Sequence, residues 1–489
     1  MKVFILLSLC IISLGIMAQK IQYPATQKLN QSDNYFGTII EDPYRWLEDD
    51  TAKNTAAWVV EENKVTQSYF EQIPFRNKLH KRLSELWNYP KYSAPEKNGE
   101  YFTFYKNNGL QNQALLYVQK GIKGKPEILI DPNKLSIDGT VALQATAFSK
   151  KQRYFAYAVS ASGSDWQEIN ILDFNTKKLL SDKIEYVKFT GMSWVGDDGF
   201  YYSGYSKPKE EKTKYSAKTE YQKVFYHKVG TTQEEDMLIY EDKEHPLRYV
   251  GAGVTEDERF LILSIAEGTD GSEIKIKDLQ DKSATGFITL VQGFSTNADV
   301  VDNIGDKILL KTNSAAPNYK LVLADPKNPS EANWKSIIPE TKEPLTFATT
   351  GGNKIFAGYL KDANTLVNQH DLSGKLEHNI QLPGLGTAVG FGSKKEDKEF
   401  YYIFTSFTYP ATIFKYDIAS GKSTLYRKAE VKFNPENFET RQVFYPSKDG
   451  TKVPMFITYK KGLVLNGSKP AMLYAYGGFN INITPAFSV

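Results

Sequence analysis

The chain has 489 residues, more than one compact core usually holds. Its 60 basic and 57 acidic residues leave a formal charge of +3 and are interspersed, so nothing in the charge indicates a nucleic-acid or other polyanionic partner. The 31 tyrosines and 28 phenylalanines favour pleated strands over helices, and we therefore expect a mainly β protein.

The first residues have the pattern of a secretory signal peptide. Lys2 precedes an apolar stretch from Val3 to Met17 that ends at Ala18, and polar Gln19 follows. This order predicts an exported protein, secreted or periplasmic, with cleavage of residues 1–18 and no membrane association afterwards. The single cysteine, Cys10, lies inside the stretch, so we expect no disulfide and no cysteine nucleophile in the mature protein.

Residues 19–90 are predicted to form an extended stretch followed by two helices. Trp58, Val65 and Tyr69 fall on one face of the first helix. The second helix repeats apolar residues at steps of four, four and three, at Phe75, Leu79, Leu83 and Leu86. Pro74 separates the two helices and Pro90 ends the second, because proline lacks the amide proton that a helix needs.

The middle of the chain repeats a polar turn followed at once by a short aromatic or branched strand. Seven such strands begin at positions 101, 154, 200, 260, 308, 355 and 400, with spacings of 45 to 60 residues that suit a four-stranded propeller blade. One unit cannot bury its apolar face alone, so the copies must close into a ring. We therefore predict a seven-bladed β-propeller over residues 91–427.

From residue 428 the pattern changes. A hairpin around the turn at residues 447–450 precedes an apolar strand, Ala471–Tyr476, and Gly477 and Gly478 then permit a tight turn. We expect this strand to begin a second domain and to find no pairing partner before Val489.

This last segment resembles the prolyl oligopeptidases, serine peptidases that cut short peptides on the carboxyl side of proline. The resemblance is strongest over Leu473–Ile481 and continues through the chain in the family's order. Further matching strings are Glu41–Glu48, Ser162–Trp166, Ile265–Gly268 and Lys311–Leu321. The resemblance implies a seven-bladed propeller that caps an α/β-hydrolase domain, to which residues 19–90 and the beginning at 428–489 would belong.

The resemblance also implies a Ser-His-Asp triad, and it places all three residues beyond the end of this chain. No Gly-x-Ser-x-Gly nucleophile elbow occurs in the sequence. The five histidines all fall in the helical segment or the propeller, where we expect structural imidazoles: His80, His227, His245, His370 and His378. The chain by itself is therefore expected to be inactive, as the N-terminal part of a serine endopeptidase.

Three residues of this chain match site positions of the family. Tyr476 matches a tyrosine whose hydroxyl donates to the oxyanion of the tetrahedral intermediate, a role that contributes about 3 kcal/mol. Phe479 matches an aromatic wall of the proline pocket, and Phe189 an aromatic that helps to line the subsite beyond proline. Tyr474 should point to the opposite sheet face and pack there.

Three positions depart from better-known family members. Val250, Ala266 and Thr269 stand where those members carry methionine, arginine and cysteine, so this subsite should be less basic. No metal and no organic cofactor is implied. The expected partners are short proline-containing peptides, and the protein is expected to be a monomer.

Two other functions are weighed. A stand-alone secreted propeller binding module without catalysis is conceivable because a propeller closes on itself, but the apolar run from Ala471 to Phe487 would then be exposed. A propeller carbohydrate enzyme would need paired inward carboxylates, and nothing in the sequence singles out such a pair.

Overall fold

The computed structural model describes residues 21–49, 51–207, 219–283, 285–479 and 481–489. The predicted signal peptide, with Cys10, lies outside the described residues. Described residues up to Ser84 form one compact unit, and those from Glu85 to Lys207 and from Thr219 to Val489 form a second. Within these ranges no helix is both long enough and apolar enough to cross a membrane.

The first unit contains a hairpin and the two predicted helices. Its elements are β1 (Ser32–Tyr35), β2 (Thr38–Glu41), α1 (Lys53–Glu71) and α2 (Arg76–Trp87), the last of which ends in the second unit. Pro74 separates the helices as expected. The apolar stripe predicted for the second helix remains at least half exposed at Leu79 and Leu83 of α2 and at Phe75, which directly precedes α2.

Between Lys91 and Arg427 the described strands form six antiparallel sheets. The first contains β3 (Lys91–Tyr92), β4 (Glu96–Asn98), β5 (Tyr101–Asn107), β6 (Leu115–Lys120) and β7 (Glu127–Ile130). The second has eight strands, β8 (Ala142–Phe148), β9 (Tyr154–Ser160), β10 (Gln167–Asp173), β11 (Lys178–Val187), β12 (Ser193–Val195), β13 (Gly199–Gly204), β14 (Lys223–Lys228) and β15 (Met237–Tyr240).

The other four sheets each contain four strands in chain order. They are β16 (Tyr249–Val254), β17 (Phe260–Ala266), β18 (Glu273–Asp278) and β19 (Ile288–Val291); β20 (Ala298–Ile304), β21 (Lys307–Thr312), β22 (Lys320–Ala324) and β23 (Lys335–Ile338); β24 (Leu345–Gly351), β25 (Lys354–Lys361), β26 (Asn364–His370) and β27 (Leu376–Asn379); and β28 (Thr387–Val389), β29 (Glu399–Ser406), β30 (Tyr409–Asp417) and β31 (Lys422–Arg427).

All seven strands read from the polar-turn repeat are present, each beginning within one residue of its predicted position. The prediction of seven separate blades is nevertheless wrong for the sheets as hydrogen bonding defines them. Five sheets have the size of one blade, and the sixth joins β8–β11 to β12–β15 through a single paired position, Val187 with Gly204. Next to this pair, the Tyr205 amide donates to the Tyr186 carbonyl at 2.9 Å.

Neighbouring sheets share their apolar cores. Ile308 and Leu310 of β21 pack toward the preceding sheet in one buried cluster, whereas Leu309 packs with Ile355 and Ala357 of the following sheet in another. Side chains alternate between the two faces of a strand, and here both faces are covered. This arrangement explains why the repeated strands read as continuous apolar runs rather than as alternating patterns.

The first and last sheets meet directly and exchange no strand. The ring of Phe102 on β5 lies edge-on against Tyr401 of β29, with centroids 6.3 Å apart, and Ile413 belongs to the same buried cluster. The Lys97 ammonium pairs with the Asp397 carboxylate, which is almost completely buried. The ring therefore closes through side chains alone.

The predicted beginning of an α/β-hydrolase domain is not shown by the described residues after Arg427, whose strands form only a hairpin. Strands β32 (Phe438–Pro446) and β33 (Lys452–Lys460) pair with each other. The segment Ala471–Tyr476 forms no strand, contrary to the prediction for its conformation. A strand needs a neighbour to satisfy its backbone groups, and no described residue pairs with this segment.

A buried histidine joins the two halves of the eight-stranded sheet. The His227 ring on β14 is fully buried, with Nδ1 2.7 Å from an Asp236 oxygen and Nε2 3.2 Å from an oxygen of Asp182 on β11. The Tyr202 hydroxyl donates to the other Asp236 oxygen at 2.6 Å. Burial alone lowers the pKa of His227, but the bonds and charges of Asp236 and Asp182 outweigh it, so the pKa is raised. The network ties β11 to β14 through side chains, whereas backbone pairing joins the two halves only at Val187 of β11 and Gly204 of β13.

We expect His227→Gln to lower the free energy of unfolding by about 3–5 kcal/mol at low pH, because two buried carboxylates lose their counter-charge. Since the folded pKa is raised, the contribution is complete below the unfolded pKa of about 6.5 and is lost as the pH rises through the folded pKa. Urea unfolding at a series of pH values from about 5.5 to 9 measures it. The control is His80→Gln on α2, and equal pH dependence in wild type and His227→Gln would contradict a charged, buried imidazole.

Candidate functional site

A central cavity of about 1180 Å³ is enclosed by the sheets. Its lining comes largely from the first strand of a sheet or the turn that follows, including Gly251–Glu256, Asp299–Asp302 and Gly390–Lys394. Because these first strands run in the same direction, one end of the cavity is surrounded by their beginnings and the other by the turns that follow them. The two ends carry different side chains.

Aromatic side chains lie where first strands begin. Phe189 precedes β12 and Tyr249 begins β16; their rings pack edge to face with centroids 5.7 Å apart. Phe189 is 52% exposed, and the Lys188 ammonium lies 5.0 Å from its ring centroid. Its φ of +53° places a non-glycine residue in the left-handed region, which the surroundings must impose. Tyr249 had no sequence signal of its own, since nothing in the pattern distinguishes it from other strand aromatics.

The three positions at which this chain differs from better-known family members, Val250, Ala266 and Thr269, differ in their exposure to solvent. Val250 is only 3% exposed; its amide donates to Gln222 Oε1 at 2.8 Å, and its carbonyl accepts from the Ser203 hydroxyl at 2.6 Å. Its side chain belongs to a buried cluster with Tyr201 and other residues of the neighbouring sheet. Thr269 is exposed and Ala266 is half-buried at the end of β17. Val250 is therefore a packing residue in this structure.

The segment with the other two predicted site residues is open to solvent. Tyr476 is 48% exposed and Phe479 is 79% exposed, with a φ of +51° at Phe479. Tyr474, expected to pack, is also mostly exposed. In the described part of the chain, no aromatic contact or hydrogen bond joins Phe189 to Tyr476 or Phe479.

Further along, the same segment returns to the last sheet. The Thr387 hydroxyl at the start of β28 donates to the Pro485 carbonyl at 2.8 Å, and the Phe487 amide donates to the Thr405 hydroxyl at 3.1 Å. The Phe487 ring packs against Phe433 at 5.1 Å. Thr387 begins a first strand, so Pro485 is held at the same end of the sheets as Phe189 and Tyr249.

Charged side chains gather at the opposite end of the cavity, on the turns that follow the first strands. Lys395 Nζ lies 2.8 Å from Asp302 Oδ2, and the Lys395 amide donates to Glu256 Oε1 at 2.8 Å. Lys150 Nζ donates to the Glu256 carbonyl at 2.6 Å. Burial raises the pKa of Glu256, and the nearby Asp302 charge adds to the rise, although bonds and charges from Lys394 and Lys395 oppose it.

These bonds connect turns of different sheets. The ion pair of Lys97 and Asp397 does the same at the seam, the contact between the first and the last sheet. These turns include the polar clusters that precede the repeated strands in the sequence. Carboxylates do therefore face the cavity, as a carbohydrate enzyme would require. Asp302 and Asp397 are each held by a lysine, which does not favour a free acid and base pair.

The histidines do not assemble a catalytic triad in the described residues. Both nitrogens of His227 face carboxylates, no hydroxyl donates to its ring, and the ring has no solvent access. His245 Nδ1 lies 2.9 Å from Asp242, and His370 Nδ1 lies 2.9 Å from the Gly374 carbonyl. These are structural partners, as the sequence led us to expect.

The sheets and their central cavity define a β-propeller protein. The family model of the prolyl oligopeptidase N-terminal β-propeller domain matches residues 23–429. The chain therefore belongs to the prolyl oligopeptidase family.

Curated relatives agree with this assignment. The chain is 51% identical over 469 residues to a prolyl endopeptidase of Elizabethkingia meningoseptica, an alignment that covers 96% of this chain and 66% of that protein. A prolyl endopeptidase of Elizabethkingia miricola is 50% identical over 472 residues, with the same coverage. The chain thus spans just under two thirds of the length of these relatives.

Solved structures of prolyl endopeptidases and oligopeptidases are also similar to this chain. A chain from a structural study of two prolyl endopeptidases, concerned with inter-domain dynamics in catalysis and specificity, matches with a TM-score of 0.85 and 33% identity, covering 96% of this chain and 68% of that one. Prolyl oligopeptidase B of Galerina marginata, bound to a 25-residue macrocyclization substrate, matches with a TM-score of 0.83 and 28% identity over 96% of this chain and 69% of its own.

We expect Lys395→Met to lower the free energy of unfolding by about 1–3 kcal/mol near pH 7, because it leaves Asp302 charged and buried without its partner. The loss should shrink toward pH 4, because Glu256, whose pKa is raised by burial, takes up a proton and no longer repels the unpaired Asp302 charge. Urea unfolding at the two pH values measures both effects. Lys415→Met, which breaks the more exposed pair with Glu399, is the control and should cost no more than about 1 kcal/mol. Equal losses in the two variants would show that the charged end of the cavity carries no special stability.

Proposed function

We propose that the protein containing this chain is a prolyl endopeptidase that hydrolyses short peptides on the carboxyl side of proline. The observation that carries the proposal is the 51% identity to a prolyl endopeptidase along 96% of this chain. The alternative of a stand-alone binding module is less favoured, because Met472, Leu473 and Phe479 are apolar and each more than three quarters exposed.

In this proposal the chain supplies one part of the active site, and a hydrolase domain supplies the triad. The serine hydroxyl attacks the carbonyl carbon of proline, and the histidine, which the aspartate orients, takes the hydroxyl proton. The bond to the next residue's nitrogen then breaks, the histidine gives its proton to the departing amine, and water releases the proline-ended product from the serine. Negative charge then develops on the carbonyl oxygen, and the accessible Tyr476 hydroxyl donates a hydrogen bond to it. No step requires a metal or an organic cofactor.

The aromatic residues would select the substrate. Phe479 offers a flat apolar surface to the proline ring, and Phe189 contacts the residue beyond proline. We add Tyr249 to this subsite because its ring packs against Phe189 at 5.7 Å. Because the Val250 side chain is buried in an apolar cluster, the peptide would contact these two aromatic side chains at this end of the cavity instead.

The propeller would restrict access to short peptides. We infer that the eight-stranded sheet represents two blades, since each half repeats a meander of consecutive strands and the halves share one backbone pair. On this reading the ring has seven blades. We also propose export to the periplasm or the medium, from the pattern of residues 1–18, and a monomeric protein.

The chain alone is expected to show no turnover of a chromogenic glycyl-prolyl substrate, because no nucleophile elbow occurs in it. Absorbance of the released chromophore measures the rate, with and without a serine-directed inhibitor. Turnover that the inhibitor abolishes would prove a nucleophile within these residues and overturn the division of the active site.

In a protein that joins this chain to the triad-bearing domain, Tyr476→Phe should lower kcat about 10²–10³-fold, since it removes an oxyanion donor and leaves the ring in place. The matched control is Tyr474→Phe, which deletes a hydroxyl two residues away and should change kcat little. Steady-state kinetics on a glycyl-prolyl substrate compare the two. If both variants retain the wild-type kcat, Tyr476 is not the oxyanion donor.

A further inference from the structure

A small pocket lies on the seam between the first sheet and the end of the last strand, and nothing in the proposed peptidase function uses it. Its volume is about 140 Å³. The side chains that matter are Tyr92, Phe104, Lys106, Tyr117, Tyr426 and Arg427. The first four come from β3, β5 and β6, and the last two end β31.

The strand register explains why these side chains converge. Tyr92 pairs with Lys106, and Phe104 pairs with Tyr117 on the neighbouring strand. Phe104 and Lys106 are two residues apart on β5 and so share one face of the sheet. One sheet face therefore presents three rings and an ammonium group side by side, and β31 adds the guanidinium.

The rings form flat walls. Phe104 and Tyr117 are stacked with centroids 5.5 Å apart and planes 9° from parallel, and Tyr92 lies 6.3 Å from Phe104. Tyr426 is held edge-on by Tyr401 at 4.8 Å. Aromatic walls of this kind accept a flat apolar body better than a branched or strongly hydrated one.

Two cations border the same walls without a counter-ion. The Arg427 Cζ lies 3.8 Å from the centroid of the Tyr92 ring, and Lys106 Nζ lies 5.5 Å from that centroid and 5.9 Å from that of Tyr117. In the part of the chain that the structure describes, neither cation has a carboxylate partner. Nearby lysines do have one: Lys97 pairs with Asp397, Lys120 with Glu100 and Lys415 with Glu399.

We propose that this pocket is a binding site for a small carboxylate that carries a single flat apolar ring. The carboxylate would accept charge-assisted hydrogen bonds from Arg427 and Lys106, while the ring lies against the aromatic walls. A volume below the ~300 Å³ of sites for drug-sized ligands excludes nucleotides and longer peptides. Cation–π contact with Tyr92 leaves the edges of the Arg427 guanidinium free to donate.

The location gives binding a structural consequence. A ligand held by Lys106 of the first sheet and Arg427 of the last would bridge the seam at which the ring closes. Anything that binds the folded state raises its stability by mass action. Bound carboxylate should therefore raise the melting temperature of the chain as well as give a calorimetric signal.

The test uses the full 489-residue chain, benzoate as the probe and benzamide as its neutral counterpart. Isothermal titration calorimetry should give a Kd below about 1 mM for benzoate, at least tenfold weaker binding of benzamide, and weaker benzoate binding at high salt. Lys106→Met and Arg427→Met should each weaken benzoate binding about tenfold or more. Lys120→Met, which removes the same charge from a paired, exposed lysine of β6, should leave the Kd unchanged.

Circular dichroism establishes that each variant is folded. Arg427→Lys, which keeps the positive charge, should retain most of the affinity for benzoate if Arg427→Met loses it. Equal affinity for benzoate and benzamide would overturn the proposal. Unchanged benzoate binding in both Lys106→Met and Arg427→Met would overturn it too. Failure of the wild-type chain to bind benzoate at 10 mM, or a melting temperature that benzoate does not raise, would overturn it as well.

Discussion

Each sheet of the ring is apolar on both faces, and this two-sided burial is the constraint on which the rest of the structure depends. Leu309 packs toward one neighbouring sheet and Ile308 toward the other, so an open row of sheets would leave an apolar face uncovered at each end. The ends cover each other at the contact of Phe102 with Tyr401. No strand crosses this seam, so side-chain packing and one buried carboxylate must hold it.

Closure of the ring also determines what the cavity offers at its two ends. First strands that run in one direction have their beginnings, next to Phe189 and Tyr249, at one end and the turns that follow them, with Lys395 and Asp302, at the other. The segment that carries Tyr476 is tethered near the aromatic end. We therefore propose that the chemistry takes place at the aromatic end, whereas the charged end contributes to holding the sheets together.

Much of the fold could be predicted from the sequence because a polar turn before an apolar run is a local signal. The joining of β8–β15 into one sheet could not, since the contact of Asp182 with His227 joins residues 45 positions apart. Phe189 and Tyr476 are predicted site residues through resemblance alone, and Tyr249 has no distinguishing local pattern. The strand predicted at Ala471–Tyr476 has the right residues, yet a strand forms only against a partner, which the described residues do not supply.

Hydrogen exchange of the wild-type chain and Phe102→Ala tests most directly whether the seam holds the ring closed. Removing this buried ring should cost about 3–5 kcal/mol. If closure makes the sheets interdependent, the slowest-exchanging amides of all six sheets should lose protection together and by similar factors. Loss of protection confined to residues 91–130, with the sheets from β16 to β27 unchanged, would contradict the account.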